Sequence, residues 1–417
     1  MGMPSANRRI LYIAGTLPAR SETFVYREIF AIRALGVDAM TASVHEPARG
    51  LGSAVLEGLS DSTVRIYSAG IPRLLLDAAA AILRDPVASC GTLAMACMDA
   101  ARATDIRGTQ RLKVLAQAAA GLALANRIRG LNIAHIHAHM AHVPTTIAMY
   151  AARRLGISFS FTGHANDIFP NRSLLREKLR RSSFTACISK WHRDLYNSIC
   201  PREDAEYPII HCGVDCRTVA FEPIRSVGGL RILSVGRLVP KKGFDVLLEA
   251  AGKLATRRGV EMSVTIAGGG PEETALRAQA ARLPPSAHVE FLGELDNGEV
   301  MELMGRCEVF ALPIRIMPSG DRDGIPVVLM EAMAKGRCVI SGDLVTIREL
   351  IDHGRSGFLV PIGDAEALAG LIERLAADPS LIVRMGAAAR KKIEAEFDTG
   401  ANAASLLAAM RAHGLDI

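Results

Sequence analysis

At 417 residues the chain has the length of two to three domains of roughly 150 residues each, and its 49% hydrophobic and 22% charged residues are ordinary globular values. Disorder, a fibrous repeat and a small disulfide-stapled module are excluded on that balance. Against 43 Asp plus Glu stand 49 Lys plus Arg, and the formal charge of +6 suits anionic substrates or an anionic membrane surface but is too small to argue nucleic acid.

Short β-rich apolar runs alternate with Ala/Leu-rich stretches, which predicts βαβ units, parallel sheets and an α/β class. Residues 9–15 read as the first strand, too short for a signal h-region or a membrane span. A helix over 24–35 follows, opened by a hydroxyl cap within Ser21-Glu22-Thr23. Further strands are expected at 38–45, 134–140, 158–164, 184–189 and 207–212, and the long stretch 71–130 reads as several amphipathic helices. The polar, Pro- and Gly-containing segment 222–229 marks a domain boundary. Beyond it, strands at 230–235, 263–267, 288–292, 309–312, 337–341 and 357–360 repeat the alternation. Two doubly wound domains in series follow, over 1–220 and 221–395, with a closing helical segment at 396–417. Such domains take ligands outside the carboxyl ends of their strands, and two of them facing each other place an active site in the cleft between.

Two segments carry most of the chemistry. After strand 230–235 comes Gly236-Arg237-Leu238-Val239-Pro240-Lys241-Lys242-Gly243, where Arg237 and Lys242 can clamp a diphosphate or form a solvated basic turn. The second is Asp321-Arg322-Asp323-Gly324-Ile325-Pro326-Val327, running into an apolar helix with Pro326 in its first turn. Amides from Gly324, Ile325 and Val327 at that helix start suit a phosphate. Asp323 and Glu331, eight apart, would lie about 12 Å apart along a helix on nearly the same side, one for a reacting sugar and one for a ribose. Asp321-Arg322-Asp323 also spells a D-x-D metal motif; the metal-free reading is preferred because cations nearby supply the neutralisation.

Other signals have plainer readings. Ala267-Gly268-Gly269-Gly270-Pro271 lacks the spacing of a nicotinamide or flavin site, and its glycines, Gly269 among them, let a nucleotide approach the backbone. Gly15 after the first strand has the same reading beside that of an ordinary turn glycine. His135, His137 and His139 alternate on one face of a strand, where packing outweighs metal binding. Cys212 and Cys216 with His211 lack a second pair to complete a zinc tetrahedron, and the eight scattered cysteines read as reduced thiols. The basic amphipathic segment 174–181 can rest on anionic lipid or serve as a solvated helix face.

In order and spacing, Gly236-Arg237 with Lys242-Gly243, Ala267 to Pro271, Phe291-Leu292-Gly293 and the acid-x7-acid pattern ending in Glu331-Ala332-Met333-Ala334 resemble the retaining, nucleotide-sugar-dependent glycosyltransferases of family four. The resemblance implies the GT-B architecture, two facing Rossmann-like domains with the acceptor side in the first and the donor site in the second. Thr162-Gly163-His164-Ala165-Asn166-Asp167-Ile168-Phe169 and Ser21-Glu22-Thr23-Phe24 look like the branch that builds bacterial exopolysaccharides of the colanic-acid type. By resemblance, His164 lies at the sugar and acceptor side, Arg237 and Lys242 bind the diphosphate, Glu331 binds the ribose hydroxyls, and Asp323 stands where the family usually has Glu against the donor sugar. The implied reaction moves a hexose from a nucleotide diphosphate sugar, UDP ahead of GDP, to a hydroxyl of a polyprenyl-diphosphate-linked oligosaccharide, with retention and without metal or other cofactor. A cytoplasmic location at the inner membrane face and no nucleic-acid partner are implied too. The rival readings are an epimerase or phosphorylase on the same fold, and a catalytically silent scaffold, which the shortened acid Asp323 would favour.

Overall fold

The computed structural model describes residues 8–19, 22–51, 53–164, 168, 172–224, 229–257 and 261–415. It divides into two compact units, residues 1–211 with 399–417, and residues 212–398.

The first unit is built on a parallel sheet of β1 (Arg9–Ala14), β2 (Ala39–Ser43), β3 (Val64–Arg65), β4 (Ile133–His139), β5 (Ser158–Gly163) and β6 (Thr185–Cys187), in the order β3-β2-β1-β4-β5-β6. The centre of β1 is buried on both faces, as a strand covered by helices must be. Its helices are α1 (Thr23–Ala34), α2 (Ala54–Ser62), α3 (Ile71–Arg84), α4 (Pro86–Arg102), α5 (Thr109–Arg127), α6 (Val143–Leu155), α7 (Leu175–Arg181) and α8 (Lys190–Ile199). The stretch 71–130 thus holds three helices, and α5 is their hub. Its Ala- and Gly-rich centre is buried, and a Cβ on Gly121 would stand 2.9 Å from that of Tyr150, so α5 and α6 touch almost backbone to backbone. The closing helix Thr399–Ala412 returns to this unit, where Leu406 and Met410 join Val25, Ile29 and Ile32 of α1 in one cluster.

Two expectations change here. Residues 207–212 do not form a strand: Pro208 removes a ladder donor, and only Ile209 bridges, to Cys187. Helix α1 begins at Thr23 behind Glu22, without a side-chain cap bond, and Ser21 lies outside the described residues.

The second unit repeats the plan with β7 (Leu230–Val235), β8 (Met262–Ala267), β9 (Val289–Gly293), β10 (Val309–Leu312), β11 (Cys338–Gly342) and β12 (Phe358–Val360), all parallel, in the order β12-β11-β10-β7-β8-β9. Helices α9 (Phe244–Ala255), α10 (Glu273–Ala280), α11 (Asn297–Arg306), α12 (Val327–Ala334), α13 (Ile347–Leu350), α14 (Ala365–Ala377) and α15 (Pro379–Glu396) cover it. In both sheets the first and fourth strands are neighbours, so each has one point where strand order reverses, the place where doubly wound sheets bind ligands.

Candidate active site

In the second unit the loops leaving β7 and β10 flank that reversal point. Pro240–Lys242 form one 3-10 turn. Gly243 follows at φ 72°, where a Cβ would lie 2.0 Å from the Pro313 carbonyl oxygen, so only glycine lets the two loops close on each other. Arg315 fastens them: its amide donates to the Lys241 carbonyl at 2.9 Å, and its guanidinium donates to the Pro240 carbonyl at 2.8 Å and to Asp245 Oδ2 at 2.9 Å.

Four charged side chains then meet. Buried Lys241 donates to Asp321 Oδ1 at 3.1 Å and lies 3.6 Å from Asp323 Oδ1. Lys242 Nζ is 2.7 Å from Asp323 Oδ2, an ion pair rather than a directed hydrogen bond. Both partners are largely withdrawn from water, at 15% and 13% side-chain exposure, where opposite charges attract more strongly than at the surface. Arg237 is exposed and makes no ion pair among the described residues.

Asp323, Gly324 and Ile325 precede the helix, and Pro326 is its cap in extended conformation rather than a first-turn residue. The spacing of Asp323 from Glu331 therefore follows loop geometry, and the 12 Å expected for a continuous helix does not apply. Thr346 Oγ1 donates to the Gly324 carbonyl at 3.2 Å and holds the loop against the start of α12. In the first turn of α12 the Leu329 amide donates to the Pro326 carbonyl at 3.1 Å, while the amides of Val327 and Val328 precede any acceptor the helix can offer. Glu331 is the one charged residue of this apolar helix and is 4% exposed; Asn297 Nδ2 donates to its Oε1 at 3.4 Å.

The glycine run after β8 has a backbone cause. A Cβ on Gly268 would stand 2.0 Å from the Gly236 carbonyl oxygen, and one on Gly270 2.5 Å from that of Leu238. The Leu238 amide donates to the Gly269 carbonyl at 2.8 Å, so this run is a seat for the Arg237–Lys242 loop. On Gly269 the Cβ direction meets Glu294 at 2.8 Å.

In the first unit, β4 and β5 zip together through side chains. His135 spans Ser158 and Ser160 at 2.7 Å each, and His137 spans Ser160 at 2.8 Å and Thr162 at 3.1 Å. The register that pairs His135 with Ser158 and His137 with Ser160 produces these rungs. At the carboxyl end the pattern changes: His139 Nδ1 lies 3.2 Å from His164 Nε2, and His139 Nε2 lies 3.1 Å from Glu28 Oε1. An ionised Glu28 only accepts, so His139 carries its proton on Nε2 and accepts from His164 on Nδ1. Burial, with His139 alongside, holds His164 well below the usual histidine pKa, and its ring lies 4.6 Å from that of Phe24. Burial likewise depresses His137 and takes His135 to about 3. Glu28, His137 and His139 also cluster as a metal site would, but both nitrogens of His137 are already engaged by hydroxyls. Gly15 follows β1, and a Cβ there would meet nothing within 4 Å.

Lys241, Arg315, Asn297 and Glu28 join these clusters without having been singled out from sequence. Of these only Lys241 stands next to a motif residue, and the others become readable only once the chain is folded.

Residues 221–392 match the family described as glycosyl transferases group 1. The chain is 40% identical over 169 residues to the amylovoran biosynthesis glycosyltransferase AmsK of Erwinia amylovora, across 40% of this chain and 41% of that one. It is 36% identical over 229 residues to the putative colanic acid biosynthesis glycosyltransferase WcaL of Escherichia coli (strain K12), across 54% and 55%. The chain thus spans about half the length of the relatives it matches. The structure of Anabaena HepE in complex with UDP and glucose superposes with a TM-score of 0.68 at 16% identity, covering 97% of this chain and 99% of that one, which is a likeness of fold. The order of the strands, the loops at their reversal point and the likeness to solved structures agree on a two-domain Rossmann-like GT-B fold, of which residues 221–392 match the group 1 glycosyl transferases.

Proposed function

We propose that the chain is a retaining glycosyltransferase that moves a hexose from a nucleotide diphosphate sugar, UDP ahead of GDP, to a hydroxyl of a lipid-linked oligosaccharide in the synthesis of a bacterial exopolysaccharide. The observation that carries the reading is the Lys242–Asp323 pair at the reversal point of a sheet whose segment matches this family. The relatives named for amylovoran and colanic acid support the polysaccharide, and HepE with UDP and glucose supports the donor class. Peripheral contact with an anionic membrane belongs to the same reading, since the acceptor is lipid-borne.

In this mechanism a diphosphate enters beside Arg237 and the first-turn amides of α12 and takes Lys242 from Asp323. The exchange sets a cation and a helix start on the leaving group, and it frees a carboxylate for the donor sugar. Glu331 receives the ribose hydroxyls, Gly15 and Gly269 border the nucleotide path, and neutral His164 serves as a hydrogen-bonding group for the sugar. The departing phosphate oxygen takes the acceptor proton on the front face, so no enzymic nucleophile and no metal are required.

Thermal unfolding against UDP, GDP and ADP, without metal and then with magnesium, tests the donor site. A metal-independent rise with one nucleotide, lost in Lys242→Ala, is expected. A rise that needs magnesium would move the chemistry to Asp321 and Asp323, and no rise with any nucleotide would favour a binding scaffold.

A further inference from the structure

Helices α3 and α4 are built inside out. The face of α3 turned into the unit carries Leu74, Asp77, Ala78 and Ala81, mostly small or charged, with Asp77 bound to Arg127 at 2.7 Å. The face turned outward carries Ile71, Leu75, Leu76 and Leu83, the last 80% exposed. In α4 the buried side is Ser89, Thr92, Ala96, Asp99 and Ala100, while Val87, Cys90, Ala94, Cys97 and Met98 face out. Val87 is 85% exposed. Outward positions 87, 90, 94, 97 and 101 follow helical spacing and hold no charge. A water-facing helix shows the reverse distribution, and two adjoining helices exposing large aliphatics mark an interaction surface.

The charges bordering this surface select its partner. Between residues 71 and 113, Arg73, Arg84, Arg102, Arg107 and Lys113 are exposed. Of the acids in that span, buried Asp77 is shared by Arg127 and by Arg73, whose side chain is still 66% exposed, buried Asp99 is neutralised by Arg181, Asp85 is half-buried and Asp105 is exposed. The outward field is cationic around an apolar floor. The basic segment 174–181 offers much less: Leu175 and Leu179 are core residues, Lys178 is fully buried on the carbonyls of Ala141, His142 and Ser173, and Arg181 is bound to Asp99.

We propose that the outer faces of α3 and α4 dock on an anionic lipid bilayer, with Leu75, Leu76, Leu83 and Val87 entering the headgroup–acyl boundary and Arg73 and Arg84 resting on the headgroups. The proposal deepens the reading above by assigning the membrane contact, and its test does not depend on glycosyl transfer. The full chain is sedimented with phosphatidylcholine vesicles with and without about one quarter phosphatidylglycerol. Binding only to the anionic vesicles is expected, weakened at high salt and reduced about tenfold or more in Leu76→Glu/Leu83→Glu and several-fold in Arg73→Glu/Arg84→Glu. A polarity-sensitive fluorophore on the exposed thiols Cys90 and Cys97 should shift to the blue with the same vesicles. The nucleotide-induced thermal shift should be unchanged in both double variants, which shows them folded and separates failure here from failure of the donor-site reading. Undiminished binding by the leucine variant would overturn the proposal. So would a concentration-dependent dimer in the wild type, abolished by that variant, without lipid binding, since the face would then meet a second copy.

Discussion

At the scale of single residues, the decisive contact is between Lys242 and Asp323. Each stands beside a recognisable motif, and chemistry alone points to a cation for phosphate and an acid near the sugar. Their pairing is invisible in the chain, since the neighbouring Lys241–Asp321 bond already joins positions 80 apart. On the proposed reading the pair implies competition: a donor diphosphate would displace Asp323 from Lys242. Asp323→Asn should therefore bind UDP or GDP as tightly as the wild type or more tightly, by calorimetry, while kcat falls about a hundredfold. Parallel losses of affinity and rate would mean that Asp323 only positions the lysine. Glu28 shows the same limit of sequence reading, because its carboxylate orients His139, and through it His164, from a helix far away in the chain.

Secondary-structure elements divide into those that their own residues specify and those that neighbours decide. The strands at 230–235 and 309–312 occur where their apolar runs predict. Two-residue β3 is too short to leave a pattern, and Pro208 defeats the strand expected at 207–212. Helices α3 and α4 are the instructive case, for their amphipathic patterns are real but face the other way. Leu75, Leu76 and Leu83 of α3, which a sequence argument sends to the core, lie outside, while the inner side of both helices carries polar locks. One lock is Asp99 of α4, which accepts both Arg181 guanidinium nitrogens at 2.6 Å and the Tyr150 hydroxyl at 2.9 Å. Asp99→Ala would leave these donors buried without their acceptor and should cost about 3 kcal/mol in chemical denaturation. A loss below about 1 kcal/mol would place the stability of α4 elsewhere.

For the whole molecule, the buried histidines make the two units unequal towards acid. His135 and His142 are pushed down to about 3 and about 4, chiefly by burial, and His137 and His164 are lowered in the same way. All four belong to the first unit. Unfolded, they bind protons near pH 6.5, whereas folded they resist until far lower pH. The stability these histidines contribute is thus complete above about pH 6.5 and is lost progressively as pH drops towards about 4. Calorimetry should resolve one transition that moves sharply down across that window and a second, from residues 212–398, that holds until carboxylates titrate. Two transitions shifting together would refute it.

Composition, alternation and motif order were enough to specify an α/β chain of two doubly wound halves, because periodicity and turn chemistry are local properties. The same local signals placed the charged loops after strands, where such sheets bind ligands. Tertiary structure alone decided that Lys242 meets Asp323, that Glu28 reaches His139, that Gly268 and Gly270 seat a neighbouring loop, and that α3 turns Leu75, Leu76 and Leu83 outward. Each depends on which distant segments share a boundary, and a sequence pattern states that a face is apolar without stating what will cover it.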